Sequence, residues 1–183
     1  MSYEIALNKA WDDLLNLSPH NDIRVKFLAD EYEVGLKDKR IMSLSCNVPA
    51  KDFSAILILH YLAHKLKGLP VLSGEWLTFR ELSGVEGYVD AFRNRSIEPI
   101  IRKYGANPEG ILANVNKIPM RKAEATDFGV VVDALENVPV LIKLWRADAE
   151  FGPDANMYFD KSIAKIFCTE DIVVLAGIIA YQL

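Results

Sequence analysis

The sequence predicts an α+β protein, a single domain over residues 1–183 in which antiparallel sheet and flanking helices surround a buried central helix. Three observations predict it. Strand-like and helix-like runs are segregated along the chain rather than strictly alternating, which disfavours a doubly wound parallel sheet. The first three strand-like runs are joined by the short connections Asp30-Glu31 and Lys37-Asp38-Lys39, which suit antiparallel neighbours. The run from Asp52 to Lys67 is apolar on more than one face, as in a helix enclosed by other elements.

Taken in order, residues 3–17 place Ile5, Leu7, Trp11, Leu14, Leu15 and Leu17 at largely helical spacing, with Ser2 as a candidate N-cap and Ser18-Pro19-His20-Asn21 as the stop. Ile23–Ala29, Tyr32–Leu36 and Arg40–Cys46 alternate as half-buried strands do, clearest in Ile23, Val25 and Phe27 against Arg24 and Lys26; they predict an antiparallel meander, in which the first two also read as one bent strand. Val48-Pro49 opens the central helix and Gly68 closes it. Within it Ala55, Leu59, Leu62 and Leu66 form one stripe, opposed by Phe53, Ile56 and Leu57.

Glu75–Arg80 reads as a short strand. A helix follows from about Tyr88 to Tyr104, kinked or divided by Pro99, then a short one from Asn107-Pro108 to about Lys117, stopped by Pro119. Phe128–Leu135 and Val138–Arg146, rich in valine, isoleucine and leucine around Glu136-Asn137, predict a hairpin buried on both faces. Asn156–Asp160 predicts a third strand. Thr169 is the expected N-cap of a final helix whose first turn holds Glu170 and Asp171.

Composition narrows the function. Apolar residues make up 51% and charged residues 25%, a globular balance, and the length suits one full core. The formal charge of -4 lacks the basic footprint of a nucleic-acid binder. No apolar run is long enough to span a membrane, and the opening MSYEIALNKAWDD is acidic where a secretory leader is basic, so a reduced, cytoplasmic protein is expected. Two cysteines, Cys46 and Cys168, exclude a four-cysteine metal site built by this chain alone. Cys168, just before a helix, is placed where its thiol pKa can fall, but neither cysteine has a cationic neighbour in sequence, and a structural thiol is the preferred reading. No Walker loop, GxGxxG or GxSxG motif occurs.

Three constellations carry candidate chemistry. His60 and His64 stand one helical turn apart, a spacing able to bind a divalent metal. Tyr61 occupies the place of the glutamate found in zinc peptidases, and Glu75, Glu81 and Asp160 are the carboxylates considered as a third ligand. The plainer reading of the pair is a core-edge histidine and an exposed one near a helix end. Trp76, Arg80 and Glu81, with Arg93, Arg95 and Glu98, mix aromatic and ionic groups as an anion pocket does; the plainer reading is an ion-pair network with Arg95 and Glu98 pairing at helical spacing. Asp148, Glu150, Asp154 and Asp160 lie on or beside one loop, without EF-hand spacing. Asp160 ends an apolar strand, where it either caps the next turn or faces a cleft.

Ordered blocks then carry a resemblance: His60-Tyr61-Leu62, Gly74-Glu75-Trp76, Phe79-Arg80-Glu81-Leu82, Glu98-Pro99, Leu144-Trp145, Glu150-Phe151, Asn156, Phe159-Asp160-Lys161-Ser162 and Thr169-Glu170-Asp171. In this order the chain resembles, over nearly its whole length, the prokaryotic family catalogued as domain of unknown function 3786. The resemblance implies no established activity. It implies an origin among anaerobic bacteria and archaea, and a shared neighbourhood for the His60, Trp76–Glu81 and Phe159–Asp160 blocks. Some longer members carry an iron–sulfur cluster domain; the residues here hold none, which argues against a direct redox role.

The first reading is a cytoplasmic domain without a catalytic motif that binds a small anionic molecule, a cofactor or a protein, with His60, Trp76, Arg80, Glu81 and Asp160 lining the cleft. No particular cofactor is indicated, and neither nucleic acid nor membrane is an expected partner. The alternative is a metal-dependent hydrolase or lyase using His60, His64 and one carboxylate. A third reading is a structural module whose hairpin Phe128–Arg146 forms a homo-oligomer interface.

Overall fold

A computed structural model describes residues 3–17, 21–115, 117–124 and 127–183. The Ser2 cap and most of the 18–21 stop lie outside the described residues. The architecture is α+β with two antiparallel sheets, and the chain divides into two compact units, Met1–Pro70 and Val71–Leu183. Among the described residues no helix is long and apolar enough to cross a membrane.

In the first unit, α1 (Tyr3–Leu15) buries Ala10, Trp11 and Leu14 and packs against α2 (Asp52–Lys67). Between them β1 (Ile23–Phe27), β2 (Asp30–Gly35), β3 (Arg40–Ser43) and β4 (Val48–Pro49) form a meander in chain order. Its alternation works as the pattern requires, with Val25, Phe27, Val34 and Ile41 buried. Strand β3 stops short of Cys46 because Ser43 closes a turn there. Its hydroxyl donates to Asp30 at 2.6 Å and accepts from Cys46 N at 3.1 Å, and Asn47 takes a φ of 54°. Val48-Pro49 therefore does not open the helix. It is an edge strand opposite Met42 and Ser43, a position where proline's missing N–H costs nothing.

Helix α2 has the expected bounds, and Gly68 ends it at φ 101°, donating to Lys65 O. Eight consecutive-turn residues from Ala55 to Ala63, His60 excepted, are buried, so the helix is apolar around most of its circumference. Leu66 departs from the predicted stripe. It lies in the last turn and is 46% exposed.

The second unit is built on a five-stranded sheet in the order β5-β9-β8-β7-β6: β5 (Trp76–Thr78), β6 (Met120–Ala123), β7 (Phe128–Leu135), β8 (Val138–Trp145) and β9 (Asp154–Asp160). The β7–β8 hairpin turns through Glu136-Asn137, with Asn137 at φ 58°, and nearly every residue in both strands is buried. One sheet face carries Val130, Val132, Val140, Ile142, Met157 and Phe159, all fully buried. Phe159 meets Phe92 edge-on at 6.2 Å, and Phe92 stacks on Phe79 at 4.2 Å, contacts worth about 0.5–1.5 kcal/mol each beyond burial.

The predicted 88–104 helix is three pieces. α3 (Val89–Phe92) runs into a π-helical turn (Arg93–Ile97) and then α4 (Glu98–Tyr104), in which Pro99 sits at the start. Proline is tolerated there because first-turn N–H groups have no helical acceptor. The 107–117 stretch is a 3-10 helix, Pro108–Asn114, rather than an α-helix. The predicted final helix is α5 (Thr169–Gln182), which packs on the π-turn and on α3 and α4. Its N-cap is Cys168, not Thr169. Asp171 accepts from Cys168 N, and Thr169 is inside the helix, its hydroxyl given to Ser83 O.

Candidate functional site

The 73–82 segment and β9 build the site, and Asp160 joins them. It is the last residue of β9, opposite Trp76 in the ladder, and only 3% exposed. One oxygen accepts from Ser73 N at 3.0 Å, Ser73 Oγ at 2.9 Å and Ser162 N at 2.9 Å; the other accepts from Gly74 N at 2.8 Å. Burial alone would raise its pKa. The donors at Ser162, Ser73 and Gly74 outweigh burial and hold the carboxyl well below the usual carboxylate range. Of the two roles expected for it, Asp160 takes the cap: its bond to Ser162 N starts a 3-10 turn, Lys161–Lys165. The same carboxylate ties down the loop leading into β5. Lys161 adds a second tie through its backbone and ammonium group, both to Glu75.

Strand β5 then stops after three residues, where Glu75–Arg80 was the expected strand. The cause is a capping box. Thr78 N and Oγ1 both donate to Glu81 at 2.7 Å, which turns the backbone into a 3-10 turn at Phe79–Glu81. Those two bonds, the side-chain one first, lower the Glu81 pKa. Glu81 thus holds the turn that carries Arg80. The motif Thr78-x-x-Glu81 is legible in the sequence; its alternation with hydrophobic neighbours hid it as strand.

Because β5 is shorter than β9, the Asp154–Met157 part of β9 extends beyond its short neighbour. A cleft of about 220 Å³ lies there, lined wholly from the second unit. Thr78 and Arg80 border it from the β5 end, and Asp154 and Asn156 from β9. Phe79, Phe92, Val89, Ile97 and Ala155 supply its apolar surface, and Arg93 enters from the π-turn. Asn156 accepts from its neighbour Met157 N at 2.9 Å, satisfying a strand amide locally.

The two arginines differ. Arg93 gives Nε to Glu98 at 2.9 Å and brings Nη2 to 3.8 Å from Asp154. The expected Arg95–Glu98 pair is therefore replaced by Arg93–Glu98, because a π-turn aligns residues five apart rather than three or four. Arg80 is exposed, and among the described residues it has no ion-pair partner.

The remaining expectations fall as follows. Trp76 is half-buried on β5, beside Asp160 but outside the cleft lining. His60 and His64 lie on α2 in the first unit, both partly exposed and both with interaction partners. Among the described residues no three His, Cys, Asp or Glu side chains gather to hold a metal ion. Asp148 accepts from Glu150 N and Phe151 N at 2.8 Å, as an Asx turn does. The Cys168 thiol does not take the lowered pKa open to it at a helix N-terminus: desolvation, then the Asp171 charge and hydrogen bond, push its pKa up, which agrees with the preferred reading of a structural thiol. Sequence reasoning grouped Arg93 with the ionic cluster without making it a site residue, and it passed over Thr78 and Asn156. Only the ladder brings Asn156 to the cleft, although its alternation with Tyr158 is visible.

Neither a curated protein nor a solved structure matches the chain. One family does, described as Domain of unknown function (DUF3786), over residues 12–182. The ordered blocks from His60 to Asp171 lie inside that span, and the chain belongs to this family.

Proposed function

We propose that the second unit binds a small anionic molecule in the cleft where β5 ends. One observation carries the reading: Arg80, with no carboxylate partner among the described residues, borders a concave surface that is apolar at Phe79, Phe92 and Val89 and polar at Thr78 and Asn156. Binding sites are usually such clefts with a few polar groups, and an arginine fork recognises a planar anion through two hydrogen bonds. Within this reading Arg80 grips the ligand, while Glu81 and Asp160 position the turn and strand that present it. Trp76 flanks them. The two cysteines are free thiols, as a reducing cytoplasm keeps them.

The test is thermal denaturation of the purified chain with a panel of small carboxylates, phosphate and sulfate. At least one anion should raise the midpoint, by linkage to the folded state. Arg80→Gln should abolish that rise while leaving the unliganded midpoint in place, since the side chain is exposed. A rise of equal size in the Arg80→Gln variant overturns the reading.

A further inference from the structure

Charge around the cleft limits the kind of anion it suits. Arg93 is already committed, with Glu98 on Nε at 2.9 Å and Asp154 3.8 Å from Nη2. Two carboxylates thus answer its single positive charge. An entering molecule meets one uncommitted guanidinium, that of Arg80, and one carboxylate, that of Asp154. Val89, Phe92 and Ile97 provide an apolar wall. The volume, about 220 Å³, lies below the usual range of ligand pockets, roughly 300–1,000 Å³, which suits a compact ligand.

Resting on the anion-binding reading above, we infer that the ligand class is a compact monocarboxylate with an apolar tail. Its carboxylate takes the Arg80 fork, and its tail lies against Val89, Phe92 and Ile97. A second negative charge would sit near the Asp154 carboxylate, and like charges a few ångströms apart repel. Dicarboxylates and dianionic phosphate are therefore disfavoured. Asp154 serves as the selectivity residue, excluding the second charge.

Isothermal titration of the full chain tests this with 3-methylbutanoate, its neutral amide, succinate and inorganic phosphate. The monocarboxylate should bind at least about tenfold more tightly than the amide, which lacks the charge for the arginine fork. It should exceed succinate and phosphate by about the same factor, and Asp154→Asn should shrink the succinate deficit by about threefold or more. If succinate or phosphate binds as tightly as 3-methylbutanoate and loses affinity in Arg80→Gln, the monocarboxylate inference falls while anion binding stands. An unchanged succinate deficit in Asp154→Asn overturns the role of Asp154. If acid and amide bind equally, if Arg80→Gln changes nothing, or if none of the four binds, the anion-binding reading falls with it.

Discussion

Arg93 and Glu98 form an ion pair at 2.9 Å although they stand five positions apart. A regular α-helix would set Asn94 or Arg95 beside that carboxylate. The π-turn at Arg93–Ile97 shifts the alignment and brings Arg93 to the cleft as well as to Glu98. Single π-turns inside helices recur at functional sites, and this one contains two cleft-lining residues, Arg93 and Ile97.

Glu98→Gln isolates that pair. Both partners are substantially exposed, so urea denaturation should show a loss below about 1 kcal/mol. Anion affinity at the cleft should rise at the same time, as Arg93 loses one of its counter-charges. A stability loss several times larger would mean that the pair maintains the π-turn itself.

Asp160→Asn should be far more costly, about 2–4 kcal/mol by urea denaturation. Its side chain is buried, and both carboxylate oxygens accept backbone N–H bonds. Asparagine keeps one acceptor and turns an amide N–H₂ towards donors at Ser73, Gly74 or Ser162. A loss below about 0.5 kcal/mol, the range of neutral surface changes, would remove Asp160 as the clamp on the β5 entry.

The same carboxylate makes stability depend on pH in a defined direction. Its folded pKa lies below the unfolded value of about 3.9, so the folded state binds its proton less readily than the unfolded chain does. The stabilisation is fully present above the unfolded pKa and is lost as pH falls from there towards the folded pKa. Urea midpoints measured from pH 7 down to about pH 3 should fall more steeply in the wild type than in Asp160→Asn at the acid end. Parallel curves would contradict the assignment.

Cys168 should alkylate slowly for an exposed thiol. Burial and the neighbouring Asp171 raise its pKa, so less thiolate is present near neutral pH. Peptide-level mass spectrometry with iodoacetamide should show Asp171→Asn speeding the reaction at position 168 while Cys46 reacts at an unchanged rate. A slower or equal rate at Cys168 would rule out the Asp171 charge as a cause.

Local pattern was sufficient where one segment decides its own conformation. The Asp52–Lys67 helix needs only its apolar spacing and Gly68, and the β7–β8 hairpin only two β-branched runs around Asn137. Pattern misled where two local signals compete. Thr78-x-x-Glu81 is both an alternating strand end and a capping box, and the box wins because Glu81 satisfies the Thr78 amide and hydroxyl together. Cys168 and Thr169 compete for one cap in the same way, and Ser83 takes the Thr169 hydroxyl. Met120–Ala123 shows no strand signal strong enough to read, and pairing with Gly129–Val132 makes it one.

The sequence by itself therefore determined the α+β class, the order of the main helices and strands, and membership of the family, since periodicity and ordered blocks are properties of neighbouring residues. Tertiary structure decided what the polar residues do. Asp160 meets Ser73 and Gly74 across 87 and 86 residues, and the cleft draws Arg80, Arg93 and Asn156 from three separate segments. The bonds around Asp160 depend on which strand lies beside which and where β5 stops, and no spacing within one segment encodes that. The same polar residue can be a ligand, a cap or a clamp, and only the donors that reach it select among them.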